Sequence, residues 1–313
     1  MMNFSSIRRL TKRLAVIALA LGGVVCAQHA SASPITLGSA SSYGLFVGAN
    51  NTLTLAGGFN LSGNIGVGAS DTVNLSGTNN ISGTAYEDTG VTTNYSGTTN
   101  VSGGEITQSM SSIRTAAENA STSAAALTKT SGMTDQSGSI SLSNSSVTIN
   151  ALQNASENVL DITNLSLSNS TLTLNDNGYS GAKFIINVTG TFSVTGNSSI
   201  KITGGGTGAD IIFNIEGTGS TVSLTGSSSS SIVGTILAPQ RNVNLSGGGT
   251  LTGAVLAGLG GTGYTVQTQT GGYNITSLGY VPRVSTPEPS SIALFGAGVS
   301  ALLAARRRRR PRT

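Results

Sequence analysis

Short runs of strict alternation between apolar and polar residues recur along the chain. "ISLSNSSVTI" (140–149), "LSLSNSTLTL" (165–174) and "TFSVTGNSSIKI" (191–202) each place aliphatic side chains on one side of an extended strand and Ser, Thr or Asn on the other. Gly and Asn separate the runs, and both residues tolerate the positive φ of a tight corner. The pattern predicts many short strands joined by sharp corners.

A four-residue phrase, Asn-apolar-Ser-Gly with Tyr counted as apolar, begins at Asn60, Asn74, Asn80, Asn94 and Asn100, with a further copy at Asn244. The first five are spaced 14, 6, 14 and 6, which is a period of 20 residues with two phrases per period. A fixed number of residues per repeat lets one coil close and the next stack on it at about 4.8 Å, burying small aliphatics in a continuous ladder. The expected fold is mainly β, a β-solenoid of ~20-residue coils.

One segment changes period. Ile106, Met110, Ile113, Ala117, Ala120, Ala124 and Leu127 follow steps of four and three, the spacing of an amphipathic helix. A helix over about 105–128 is expected, ended near Gly132. Its alanines allow close approach to a flat sheet, and its polar face is not basic, so packing on the solenoid flank is favoured over a membrane surface.

Composition narrows the core. With 43 Gly, 7 Phe, 7 Tyr and no Trp, the chain must fill a thin, repetitive interior, while 37% hydrophobic residues and a mean hydropathy of +0.13 are too high for a disordered polar chain. The net charge of +4 misleads, because ten of the sixteen basic residues are terminal. Between Ser33 and Thr286 six basic residues face eleven acidic ones, so the body is acidic and nucleic-acid binding is not expected.

The N-terminus reads as a signal peptide over 1–32: a basic "RRLTKR", the apolar run Leu14–Val25 and the small residues of "AQHASAS". Cleavage after Ala32 would remove Cys26 and His29, the only cysteine and histidine. Cys–His and Ser–His–Asp catalysis and His-based zinc sites then lack a necessary residue, so no catalytic residue, metal or cofactor is expected. Glu87 and Asp88 adjoin each other and read as a solvated turn; Asp176 in "NDNG" reads as a polar turn rather than a calcium loop.

"SPITLGSASSYGLFVGANN", "GAKFIINVTGTFSV", "ADIIFNIEGTGSTVSL" and "IVGTILAPQRNVNLSGGGTLTGAVLAG" resemble the bacterial ice-binding-like β-solenoid family, with some likeness to choice-of-anchor A proteins. The resemblance spans roughly 35–278, and its most specific part is the pair Gly234–Ala238 and Gly253–Ala257, 19 residues apart. It implies a right-handed solenoid of triangular cross-section with a helix alongside, here within a domain 33–280. Ice binding needs a flat face of regularly spaced hydroxyls and methyls. The candidates for such an ice- or ligand-binding face are Thr171 with Thr173, Thr221 with Thr225, and Thr250 with Thr252.

At the other end, a linker 281–289 carries Pro287, Glu288 and Pro289; an apolar stretch 290–305 follows; and Arg306, Arg307, Arg308, Arg309 and Arg310 open the tail 306–313. The three parts closely resemble the PEP-CTERM sorting signal. Sixteen residues make about 24 Å of helix, short for a span but extended by snorkelling arginines, so 290–305 is expected to be a transmembrane helix with the arginines cytoplasmic. The resemblance implies recognition by an exosortase, cleavage near Pro287–Pro289 and passage from the inner membrane to the cell surface or medium. The function expected is that of an exported, non-enzymatic surface or matrix protein that adheres to exopolysaccharide. Ice binding is the alternative, and a polysaccharide-active enzyme a third reading.

Overall fold

The computed structural model describes residues 35–282, apart from 134–137, 153, 154, 156, 180 and 270. The signal peptide, the sorting residues Pro287 to Pro289, the apolar stretch 290–305 and the arginine tail lie outside the described residues. Among the described residues no helix is long and apolar enough to cross a membrane.

Residues 35–282 form a β-solenoid of about nine turns with one α-helix. All strand pairs are parallel, and they build three ladders. Two of these alternate buried and solvent-facing positions, as in Thr52–Ala56 and Thr171–Asn175. The third is covered on both sides through its middle and one end: every residue of Tyr43–Val47, Lys183–Val188 and Ile211–Ile215 is buried, whereas Glu105–Thr107 at the other end is exposed.

The 20-residue period sets the register. Asn60 pairs with Asn80 and Asn80 with Asn100, while Asn74 pairs with Asn94. The 19-residue pair also stacks in register, Gly234 on Gly253 through Ala238 on Ala257. The phrase's glycine is needed where corners touch: a Cβ on Gly97 would lie 2.1 Å from the Gly77 carbonyl oxygen, and Gly77 itself has φ 69°.

Stacking order departs from chain order. Along the doubly covered sheet the sequence of strands is Glu105–Thr107, Ala85–Glu87, Asn64–Val67, Tyr43–Val47, Thr250–Ala257, Ser231–Ala238, Ile211–Ile215, Lys183–Val188 and Glu157–Ile162. Leu45 therefore sits between Ile65 and Val255. The chain enters mid-stack, coils to one end, and resumes coiling after the helix at the opposite end, from which it returns to close on its own first strand.

The crossing from one end of the stack to the other runs through the helix α1, Ser111–Ala125. It starts later than its spacing suggests, because Glu105–Thr107 extends the sheet and leaves Ile106 44% exposed. Ile113, Ala117, Ala120 and Ala124 pack on Val159, Ile185, Ile212, Leu237, Ala254 and Leu256. The expected solvated turn at Glu87–Asp88 is instead part of this joint. Glu87 ends a strand opposite the buried Val67, and the Asp88 carboxylate accepts the Met110 N–H at 2.7 Å, just ahead of α1. Asp176 does form a turn, its carboxylate accepting the Gly178 N–H at 3.0 Å, although the side chain is buried.

Two buried charges hold corners. The Arg241 guanidinium donates to the carbonyls of Gly217 (2.7 Å), Ser220 (3.1 Å), Thr189 (2.8 Å) and Glu216 (2.7 Å). Asp71 accepts the N–H groups of Asn51 (2.7 Å) and Gly68 (3.1 Å), and burial pushes its carboxyl up to about 7.

Candidate functional site

The two solvent-facing sheets are the broad surfaces available to a ligand. In one, outward residues of equivalent rank form rows across the coils because register is fixed by the inward aliphatics. Asn100, Asn80, Asn60 and Asn274 make one such row, and it continues through Thr250, Ser231, Ser199, Thr171 and Ser146.

The asparagines of this row are bonded to one another. Asn100 donates to Asn80 at 3.0 Å, Asn80 to Asn60 at 2.9 Å, and Asn60 to Asn274 at 2.9 Å. Asn80 and Asn60 each donate one N–H and accept one along the ladder; Asn60 gives its second N–H to the Gly58 carbonyl at 3.1 Å, whereas Asn80 and Asn100 keep theirs, and the row's oxygens keep a second lone pair. Ser62, Ser82 and Ser102 lie beside the row, and the backbone at Leu61 and Ile81 forms the floor of a shallow trough of about 270 Å³. No carboxylate lines it.

Four of the sequence-selected threonines share this sheet. Thr171 and Thr250 belong to the same row, two strands intervening, and Thr173 and Thr252 to the adjacent one. They do not make a uniform threonine surface: Lys201 pairs with Thr173 and Val233 with Thr252. Thr225 lies on the other polar sheet, next to Thr195, and Thr221 precedes that strand.

A more regular threonine row runs along this second polar sheet. Thr92, Thr72, Thr52 and Thr265 occupy equivalent positions on four successive coils of that second polar sheet. Three of the four stand 20 residues apart, so the asparagine period already contains them. Beside them run Asn94, Asn74, Thr54 and Gln267, with Asn94 donating to Asn74 at 3.0 Å.

Carboxylates cluster elsewhere. At the uncovered end of the solenoid, burial and then the neighbouring Glu105 raise the Glu87 carboxyl above its ordinary range. A groove of about 450 Å³ between α1 and the corner loops contains Glu118 and Glu216; burial and the nearby Asp161 raise Glu216. Among the described residues no group of three His, Cys, Asp or Glu side chains could hold a metal ion.

Residues 18–268 match the ice-binding-like adhesive domain. The chain belongs to this family. Residues 285–310 match the PEP-CTERM protein-sorting motif, which implies export and processing by an exosortase. The solenoid of this ice-binding-like adhesive protein resembles solved ice-binding proteins. One from an Antarctic biological consortium is 18% identical, over 82% of this chain and 95% of that one, with a TM-score of 0.51. One from the Antarctic ascomycete Antarctomyces psychrotrophicus is 19% identical over 78% and 98%, at 0.50. A domain from Shewanella frigidimarina is 14% identical over 79% and 98%, also at 0.50. At these identities the likeness concerns the fold. Comparison with curated proteins gives no match.

Proposed function

We propose that this ice-binding-like adhesive domain is a non-enzymatic surface or matrix adhesin that grips neutral exopolysaccharide along its asparagine–serine trough. The hydrogen-bonded ladder Asn100–Asn80–Asn60–Asn274 carries the reading. It fixes a line of amide oxygens at one coil spacing, about 4.8 Å, with outward N–H donors at Asn80 and Asn100, and vicinal sugar hydroxyls are complementary to such a line. Each contact gains only about 0.5–1.5 kcal/mol, yet a polymer engaging several coils adds them without paying separate association costs. The trough has no carboxylate to protonate a glycosidic oxygen, which favours holding over cleavage.

Binding of the exported protein to the exopolysaccharide of its own host, measured by co-sedimentation, tests this reading. Asn60→Leu with Asn80→Leu is expected to lower retention at least tenfold while leaving thermal unfolding cooperative. Equal retention by the variant would remove the trough from the adhesive mechanism.

The row Thr92–Thr72–Thr52–Thr265 supports ice binding as a second reading, because it repeats hydroxyl and methyl groups on four successive coils. Ice-recrystallisation inhibition that is lost in Thr52→Asn with Thr72→Asn, and kept in a Thr171, Thr173, Thr250 and Thr252 alanine variant, would favour it. Absence of inhibition would leave the polysaccharide reading.

A further inference from the structure

Glu157 and Lys183 stand on adjacent coils of the doubly covered sheet, and Asp210, on the next coil, ends the 3-10 turn Gly208–Asp210 that leads into Ile211–Ile215. Glu157 pairs with Lys183 across the first step, and Lys183 Nζ contacts Asp210 Oδ1 across the second. Glu157 and Lys183 are 7% and 5% exposed. Tyr280 covers the row with its ring centre 5.6 Å from Nζ, held there by the Val281 N–H donating to the Ala209 carbonyl at 2.9 Å. The second oxygen of Asp210, Oδ2, accepts both the Thr207 N–H at 2.7 Å and the Thr207 hydroxyl at 3.1 Å.

An ion pair explains one amine and one carboxylate. The Thr207 donors close a capping box on the turn Gly208–Asp210, and neither that box nor the pair calls for a second carboxyl, Glu157, in the same row. We propose that Lys183 and Asp210 condense into an intramolecular isopeptide bond, with Glu157 relaying the proton and Thr207 supplying the oxyanion site.

The step balances without any co-reactant. The step begins with transfer of one proton from Nζ to Oδ1 within the contact, which leaves a neutral amine facing a carboxylic acid. The Nζ lone pair attacks Asp210 Cγ, and the new C–N bond places negative charge on Oδ2, where the Thr207 N–H and hydroxyl stabilise it. Glu157 takes a proton from Nζ and returns it to Oδ1; the Cγ–Oδ1 bond breaks and Oδ1 leaves as water. Oδ2 remains as the amide carbonyl, still bonded to Thr207. Tyr280 shields the product from hydrolysis.

The full-length exported protein, denatured and digested with trypsin, gives the test by mass spectrometry. Cleavage is expected after Lys129, Lys201 and Arg241 but not after Lys183, and peptide 130–201 should appear joined to 202–241, lighter by one water than their sum. Asp210→Asn should give the same joined pair by loss of ammonia. Glu157→Gln should leave a cooperatively folded protein with most chains unjoined, which separates relay from folding. Lys183→Arg should abolish joining while retaining a cation. Cleavage after Lys183 with both peptides at full mass in the folded wild-type protein would overturn the proposal, as would loss of water confined to the peptide that carries Asp210.

Discussion

Asn214 and Ser121 bind each other twice across the boundary between sheet and helix. The Asn214 amide donates to the Ser121 carbonyl at 3.2 Å, and its oxygen accepts the Ser121 hydroxyl at 2.5 Å. Asn187, one coil away, donates to the Ala124 carbonyl at 3.0 Å and accepts from Asn214 at 3.0 Å. The carbonyls near the C-terminal end of the helix thus receive donors from the sheet, at Ala124 in addition to the Leu127 N–H at 3.2 Å. Asn214→Ala is expected to cost about 1–3 kcal/mol and Ser121→Ala about 1 kcal/mol. The double variant should lose less than the sum, because the bonds are shared. Urea midpoints of the four proteins provide the check, and strict additivity would show that the pair is not coupled.

Arg241 replaces backbone partners that a sharp corner cannot provide. With four carbonyls converging on one buried guanidinium, Arg241→Met should lower stability by roughly 3–5 kcal/mol, since the carbonyls of Thr189, Glu216, Gly217 and Ser220 lose their donor. Lysine cannot span the four acceptors and should recover only part of the loss. A midpoint for Arg241→Lys equal to wild type would mean that charge alone suffices.

Asp71 should make the solenoid less stable as pH rises. Its carboxyl is raised to about 7, from 3.8, so between these values the folded state holds a proton that the unfolded chain has released. Its contribution is complete below pH ~4 and declines by about 1.4 kcal/mol per pH unit until the folded group ionises near 7. Asn51 occupies the equivalent place one coil earlier, because Thr52 pairs with Thr72. Asp71→Asn should therefore fold and flatten this slope; an unchanged pH profile would assign it to other groups.

Processing at the sorting motif should separate the domain from its arginines. Intact mass of the exported pool is expected to end before Ser290, and Pro287→Ala with Glu288→Ala should return chains that keep Arg306 to Arg310. An exported wild-type pool that retains the tail would argue for a lasting anchor.

Much of the architecture is written in local periodicity. Asn60, Asn80 and Asn100 are 20 residues apart because they are stacked, and the Ala117, Ala120 and Ala124 spacing belongs to a helix because that face meets a sheet. The insertion of Leu45 between Ile65 and Val255 has no such trace, since two coils distant in sequence need share only small aliphatics to pair. The candidate surface was half legible. Thr171 and Thr250 do share a row, whereas Lys201 and Val233 become interruptions only once the register is known. The row through Thr52, Thr72 and Thr92 repeats once per coil rather than within a strand, so it emerges only when strands 20 residues apart are laid side by side. Arg241 gives no sign in the sequence that it is interior, since four main-chain oxygens, not an acidic side chain, surround it.

Because the first strand is spliced between two coils, the described chain enters and leaves the stack near its middle. The outermost turns, around Thr92–Val101 and Ser139–Ser143, are continuous with chain on both sides. If an outer turn frays, it becomes a closed loop and gains less freedom than a free tail of the same length would. Unravelling from the tips is thus entropically discouraged, as in a rope whose two cut ends are woven into its middle.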